Sequence, residues 1–202
     1  MLSEMTNLHK TPTHLTNKVK TLVAKILSKL DRPVVLVGLM GSGKSAVGRR
    51  TARLLGVKFT DSDQIIVKEA GISIAEIFEF AGEKKFRDME LKTLTNLICP
   101  TLQVIATGGG AFCQDKTASL LLERSHVVWL KAPPTTLLSR IGNFKSRPLL
   151  DNDHPLTTLI ELNHRRKRYY QKAQIHLDTD GLSAPKAAEA LLHALDTHLA
   201  RH

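Results

Sequence analysis

The chain has 202 residues, of which 29 are Lys or Arg, 19 are Asp or Glu, and 42% are hydrophobic. That is enough for one good core with a short appendage, and too little for two comfortable domains; Gly and Pro usage (12 and 8) is ordinary and excludes a collagen-like or largely disordered chain. The formal charge of +10 favours anionic partners, whether nucleic acid, an anionic membrane surface or small polyanions such as nucleotides, and composition does not choose among them.

Residues 1–31 read as a basic N-terminal extension. They lack an apolar run followed by a small-residue cleavage site, so no export signal is expected. Val19, Leu22, Val23, Ile26, Leu27 and Leu30 recur at helical spacing, with Lys18, Lys20, Lys25 and Lys29 between them. The segment therefore predicts a basic amphipathic helix docked on the domain surface; an organellar presequence would be rich in Arg, and here Lys predominates. The longest clean apolar stretch, Val34–Met40, is far shorter than the roughly 18 residues a membrane span needs. Cys99 and Cys113 form no CxxC pair, which suggests neither a disulfide framework nor a zinc knuckle and fits a reducing cytoplasm.

From Pro33 onward, covering residues 32–202, short apolar runs alternate with longer helical patterns, as expected of a parallel sheet covered on both faces. Strands are predicted at Val34–Val37, Lys58–Thr60, Gln103–Ala106, Val127–Leu130 and Ile175–Asp178. Helices are predicted at Lys44–Leu55, Gly82–Ile98, Lys116–Glu123, Thr135–Ile141, Pro155–Gln171 and Pro185–Ala200.

The first strand runs directly into Gly38-Leu39-Met40-Gly41-Ser42-Gly43-Lys44-Ser45 and then a helix, the phosphate-binding P-loop in its required context. Its glycines let backbone N–H groups of Gly41, Ser42, Gly43 and Ala46 and the helix N-terminus converge on phosphate oxygens. Lys44 adds a full charge at the β- and γ-phosphates, and Ser45 offers a hydroxyl to Mg²⁺. A nucleoside triphosphate site is the reading.

Ligands of open α/β sheets lie at the strand C-terminal ends. The second strand ends Asp61-Ser62-Asp63, two carboxylates expected on one face of an extended segment, one for a metal shell and one for an acceptor, or else a turn or capping pair. The third ends Thr107-Gly108-Gly109-Gly110, which either lets a ligand lie against bare backbone or marks a mobile loop.

Together with Gly82-Glu83-Lys84-Lys85-Phe86-Arg87-Asp88, Arg147-Pro148-Leu149-Leu150 and Arg165-x-x-x-Tyr169-x-x-x-Ala173, these motifs closely resemble the shikimate kinase family from Pro33 to about Leu195. The resemblance implies a three-layer P-loop kinase fold with a five-stranded parallel sheet, helices on both faces, and a lid at about 142–154. It implies transfer of the ATP γ-phosphate to the 3-hydroxyl of shikimate, a step toward chorismate and the aromatic amino acids. Carried over by position, Lys44, Asp63 and Arg147 are catalytic, with Asp63 on the ring hydroxyls and Arg147 in the lid on the transferring phosphate. Arg87 and Arg165 clamp the shikimate carboxylate, a task suited to the planar guanidinium fork. Gly108, Gly109 and Gly110 give backbone contacts, Arg140 stacks on adenine, and Ser45 with Asp61 addresses Mg²⁺, the carboxylate through water. ATP and shikimate are then the partners, nucleic acid is not needed, and a monomer is expected.

Each residue also has a plainer reading. Arg87 is spaced for helical ion pairs with Glu83 and Glu90, and Arg165-Arg166-Lys167-Arg168 reads alone as a solvated basic face or a nucleic-acid patch. Leu182 stands about where the family often places an adenine-side Arg. His198 and His202 are expected to face solvent at a fraying terminus. Two other functions remain: a gluconate-type kinase, which shares the P-loop and does not need two arginines around a carboxylate, and a nucleic-acid-binding regulator. The second is disfavoured by the short stretch ahead of the P-loop strand and by an aromatic content of 4%.

Overall fold

The computed structural model describes residues 16–99, 101–142, 150 and 153–201. Five strands, β1 (Val34–Val37), β2 (Lys58–Asp61), β3 (Gln103–Ala106), β4 (His126–Lys131) and β5 (Ile175–Asp178), form one parallel sheet in the order β2-β3-β1-β4-β5. β1 is a continuous apolar run, and every residue of β1 and β3 is buried, as a sheet covered on both faces demands. Around it lie α1 (Asn17–Leu27), α2 (Lys44–Leu55), α3 (Ser62–Ala70), α4 (Ile74–Leu97), α5 (Asp115–Arg124), α6 (Pro134–Arg140), α7 (Pro155–Tyr170) and α8 (Ala184–Leu199).

One sheet face packs against α1, α2 and α8 through Ile26, Val47, Leu55, Leu191 and Leu195. The N-terminal helix is thus part of the main core: Val23 and Ile26 are buried, and Lys25 pairs with Asp196 of α8 at 2.8 Å. The other face packs against α5, α7 and the 3-10 turn Ala111–Cys113, with Phe112, Leu121, Leu159 and Tyr170 inside. A third, small cluster of Ile66, Ile77 and Phe86 joins α3 to α4 beyond the sheet edge.

Three sequence expectations change. The Asp61-Ser62-Asp63 segment is not extended throughout: Asp61 ends β2 and caps α3, accepting from the Asp63 N–H at 3.2 Å, and Asp63 lies in the first helical turn. Gly82 does not begin a helix. The chain is helical from Ile74, opened by a reciprocal Ser73/Glu76 capping box, and bends at Gly82, whose φ of +77° suits glycine. His198 turns inward rather than to solvent, placing Nε2 3.2 Å from Nδ1 of the buried His126, whose other ring nitrogen is 2.9 Å from Asp31. His202 and most of the expected lid, including Arg147, lie outside the described residues.

Candidate active site

β1 sits where the connections diverge, with β3 on one side and β4 on the other, so its C-terminal end opens a crevice in the sheet. The P-loop fills that crevice. Gly41 and Gly43 take φ of +78° and +88°, and Gly43 caps α2, so the first-turn N–H groups at Ser45 and Ala46 point into the loop. Lys44 Nζ lies at the loop's centre, donating to the carbonyls of Gly38 and Leu39 at 2.9 Å each. Ser42 Oγ is buried with no hydrogen-bond partner among the described residues, and its hydroxyl can donate to an anionic oxygen held by the loop.

Ser45 donates its hydroxyl to Asp61 Oδ2 at 2.7 Å, so the last residue of β2 and the first turn of α2 present two hard oxygens side by side. Asp61 Oδ1 is taken by the α3 cap, which fixes the carboxylate. Arg140, at the end of α6, donates to Thr179 Oγ1 at 3.1 Å, to the Thr179 carbonyl at 2.6 Å and to the Leu182 carbonyl at 3.3 Å. It therefore braces the loop in which Leu182 stands.

The glycines after β3 are crowded from three directions. A Cβ on Gly108 would come within 2.8 Å of both Asp63 Oδ1 and Glu90 Oε1, and one on Gly110 within 2.7 Å of Arg87 Nη2. Gly109 faces Arg166 and the P-loop backbone at Gly38 and Met40. Carboxylate, guanidinium groups and phosphate loop thus meet around one stretch of bare backbone.

Glu90, which helical spacing gives only as an ion-pair partner of Arg87, also belongs to the buried wall of the site. It is fully buried on α4 and bonds Arg87 Nη1 at 2.9 Å, while Glu83 holds Nη2 at 3.0 Å. Burial pushes the Glu90 carboxyl up to about 7, opposed by the Arg87 charge and reinforced by Asp63. Burial works against the Arg87 charge as well, but the two carboxylates outweigh it and raise its pKa. The signal was present in the sequence: Phe86, Glu90 and Leu94 recur every four residues, which puts a charged residue in the middle of a buried stripe.

On α7 the guanidinium that reaches the glycine loop is that of Arg166, the neighbour of the expected Arg165. Arg165 is exposed, whereas Arg166 donates Nη1 to the Gly109 carbonyl at 3.0 Å, and the Tyr170 hydroxyl donates to the same oxygen. Leu159, Leu162 and Tyr170 mark the buried face, and 166 falls on that face where 165 does not.

A shikimate kinase family profile matches residues 40–196. The chain belongs to the shikimate kinase family. It is similar to a shikimate kinase from Caulobacter vibrioides, 43% identical over 164 residues that cover 81% of this chain and 82% of that one. Its structure is similar to that of a shikimate kinase from Acinetobacter baumannii in complex with shikimate, with a TM-score of 0.78 and 37% identity over 84% of this chain and 95% of the other. A gluconokinase from Sinorhizobium meliloti, 17% identical with a TM-score of 0.52 over 86% of this chain and 94% of its own, shares the fold alone. The shikimate kinase fold accounts for the sheet order, the P-loop and the glycine loop. No described helix is long and apolar enough to cross a membrane.

Proposed function

We propose that the chain transfers the γ-phosphoryl group of ATP to the 3-hydroxyl of shikimate, giving shikimate 3-phosphate and ADP. The observation that carries this reading is the convergence of Arg87 and Arg166 on Gly108–Gly110, beside Asp63 and against the P-loop. Two planar cations fit a carboxylate bidentately, and a carboxylate between them and the phosphate loop fits a hydroxyl acceptor.

Each residue then has one task. The P-loop N–H groups and Lys44 hold the β- and γ-phosphates. Arg87, kept charged and aimed by Glu83 and Glu90, meets the shikimate carboxylate together with Arg166, and the backbone of Gly108–Gly110 bounds the ring. Asp63 accepts the 3-hydroxyl proton as that oxygen attacks the γ-phosphorus and the bond to the bridging β-oxygen breaks, releasing ADP. Arg147, from the lid segment, meets the charge on the γ-oxygens, and Arg140 stands at the adenine. The Ser45 hydroxyl and Asp61 carboxylate fit Mg²⁺, an ion bound by one or two such groups plus phosphate oxygens. When bound, the ion neutralises charge on the β- and γ-oxygens. The enzyme works as a cytoplasmic monomer on small soluble substrates.

An acceptor panel tests the reading: ADP release from ATP and Mg²⁺ is followed with shikimate or gluconate. Turnover with shikimate and none with gluconate is expected. Turnover with gluconate alone, or with neither, overturns it.

A further inference from the structure

We propose that Tyr170 is a positioning residue for shikimate, its buried hydroxyl setting the orientation of the glycine backbone that the substrate lies against. The inference rests on the shikimate reading above and adds to it a residue that touches no substrate.

The Gly109 carbonyl accepts from two donors one helical turn apart on α7, the Arg166 guanidinium and the Tyr170 hydroxyl. A peptide group is planar, so holding that carbonyl toward α7 turns the N–H of Gly110 the opposite way. Neither Gly109 nor Gly110 has a Cβ to restrict its own φ and ψ, and among the described residues no backbone acceptor takes either N–H. The orientation of this loop is therefore imposed from outside. Its far end is held as well: Cys113 donates its N–H to the Gly110 carbonyl at 3.0 Å.

The two donors are not equivalent once substrate is bound. Arg166 is drawn toward the substrate carboxylate, so its hold on Gly109 is shared at the moment the loop must stay in place. Tyr170 has no competing partner of that kind. Its ring is 1% exposed, lies against Trp129 with centroids 5.8 Å apart, and cannot follow the ligand. Burial raises its pKa, so the phenol remains a proton donor throughout the working pH range.

Tyr170→Phe keeps the ring and its packing on Trp129 and removes only the oxygen. The expected result, in steady-state kinetics on the full chain, is a rise of about three- to tenfold in KM for shikimate, the range one neutral hydrogen bond spans. KM for ATP and kcat at saturating shikimate should stay within about twofold, which separates positioning from a general loss of structure. Trp129→Phe is the packing control: it should lower the melting temperature and leave KM for shikimate unchanged. The proposal is overturned if Tyr170→Phe leaves KM for shikimate unchanged, if it raises both KM values equally, or if Trp129→Phe raises KM for shikimate as much. Failure of the wild-type chain to phosphorylate shikimate would instead overturn the functional reading, before any variant is compared.

Discussion

Replacing Arg166 and Arg165 separately by Ala isolates the register of α7. Arg166 makes a 3.0 Å charge-assisted bond to the Gly109 carbonyl and, on the proposed function, turns its other donors to the shikimate carboxylate. Removing it leaves that carboxylate facing Arg87 alone. A hydrogen bond involving a charged group is worth about 1.5–3 kcal/mol, so shikimate affinity should fall about 10- to 150-fold. Arg165 is exposed, and surface substitutions of that kind stay within about 0.5 kcal/mol, or roughly a factor of two. Calorimetric titration of each variant with shikimate, and separately with ADP, reads both numbers; ADP binding should be unchanged in both. A large loss of shikimate affinity in Arg165→Ala with none in Arg166→Ala would refute the reasoning.

Three further substitutions probe other parts of the account. Glu90 has its carboxyl raised from an ordinary 4.5 to about 7 in the folded chain, so the native state keeps a proton that the unfolded chain has lost between those values. Stability then falls as pH rises through 7, and Glu90→Gln, which cannot ionise, should gain on the wild type by up to about 3 kcal/mol between pH 5 and 8. A melting-temperature difference that does not vary with pH would contradict it. Ile26→Ala removes a fully buried side chain from α1 and should cost about 2–5 kcal/mol, lowering the melting temperature while kcat/KM per folded molecule holds; an unchanged melting temperature would show the extension to be dispensable. Asp63→Asn keeps the shape and removes the proton acceptor, so kcat should drop at least about 100-fold with KM for ATP unaffected, and a near-normal kcat would remove Asp63 from the chemistry.

The sheet was legible chiefly through β1 and β3, short strands with apolar cores that run into glycine-rich turns. Val34–Val37, Gln103–Ala106 and Ile175–Asp178 coincide with β1, β3 and β5; β2 runs one residue further at its end, and β4 one residue further at each end. Helix α3 was not legible: it buries only Ser62 and Ile66 and so carries no apolar stripe. The first half of α4 was missed because Gly82 looks like a terminus, whereas its positive φ joins two helical stretches. In the site, the P-loop could be read from local spacing. Arg166 and Glu90 needed a long-range fact, namely which face of each helix the sheet covers. For α7 that face is marked by Leu159, Leu162 and Tyr170, and for α4 by Phe86 and Leu94. The inward turn of His198 depends on His126, itself held by Asp31, meeting it from a distant part of the chain, which spacing within α8 could not reveal.

The central claim is a phosphoryl transfer to one hydroxyl of one acceptor, and phosphorus NMR of a mixture of the full chain, ATP, Mg²⁺ and shikimate tests it most directly. The account predicts a phosphomonoester signal coupled to the proton on carbon 3 of shikimate, growing in step with ADP. Loss of ATP to ADP and free phosphate with no such ester, or an ester on a different hydroxyl, would contradict it.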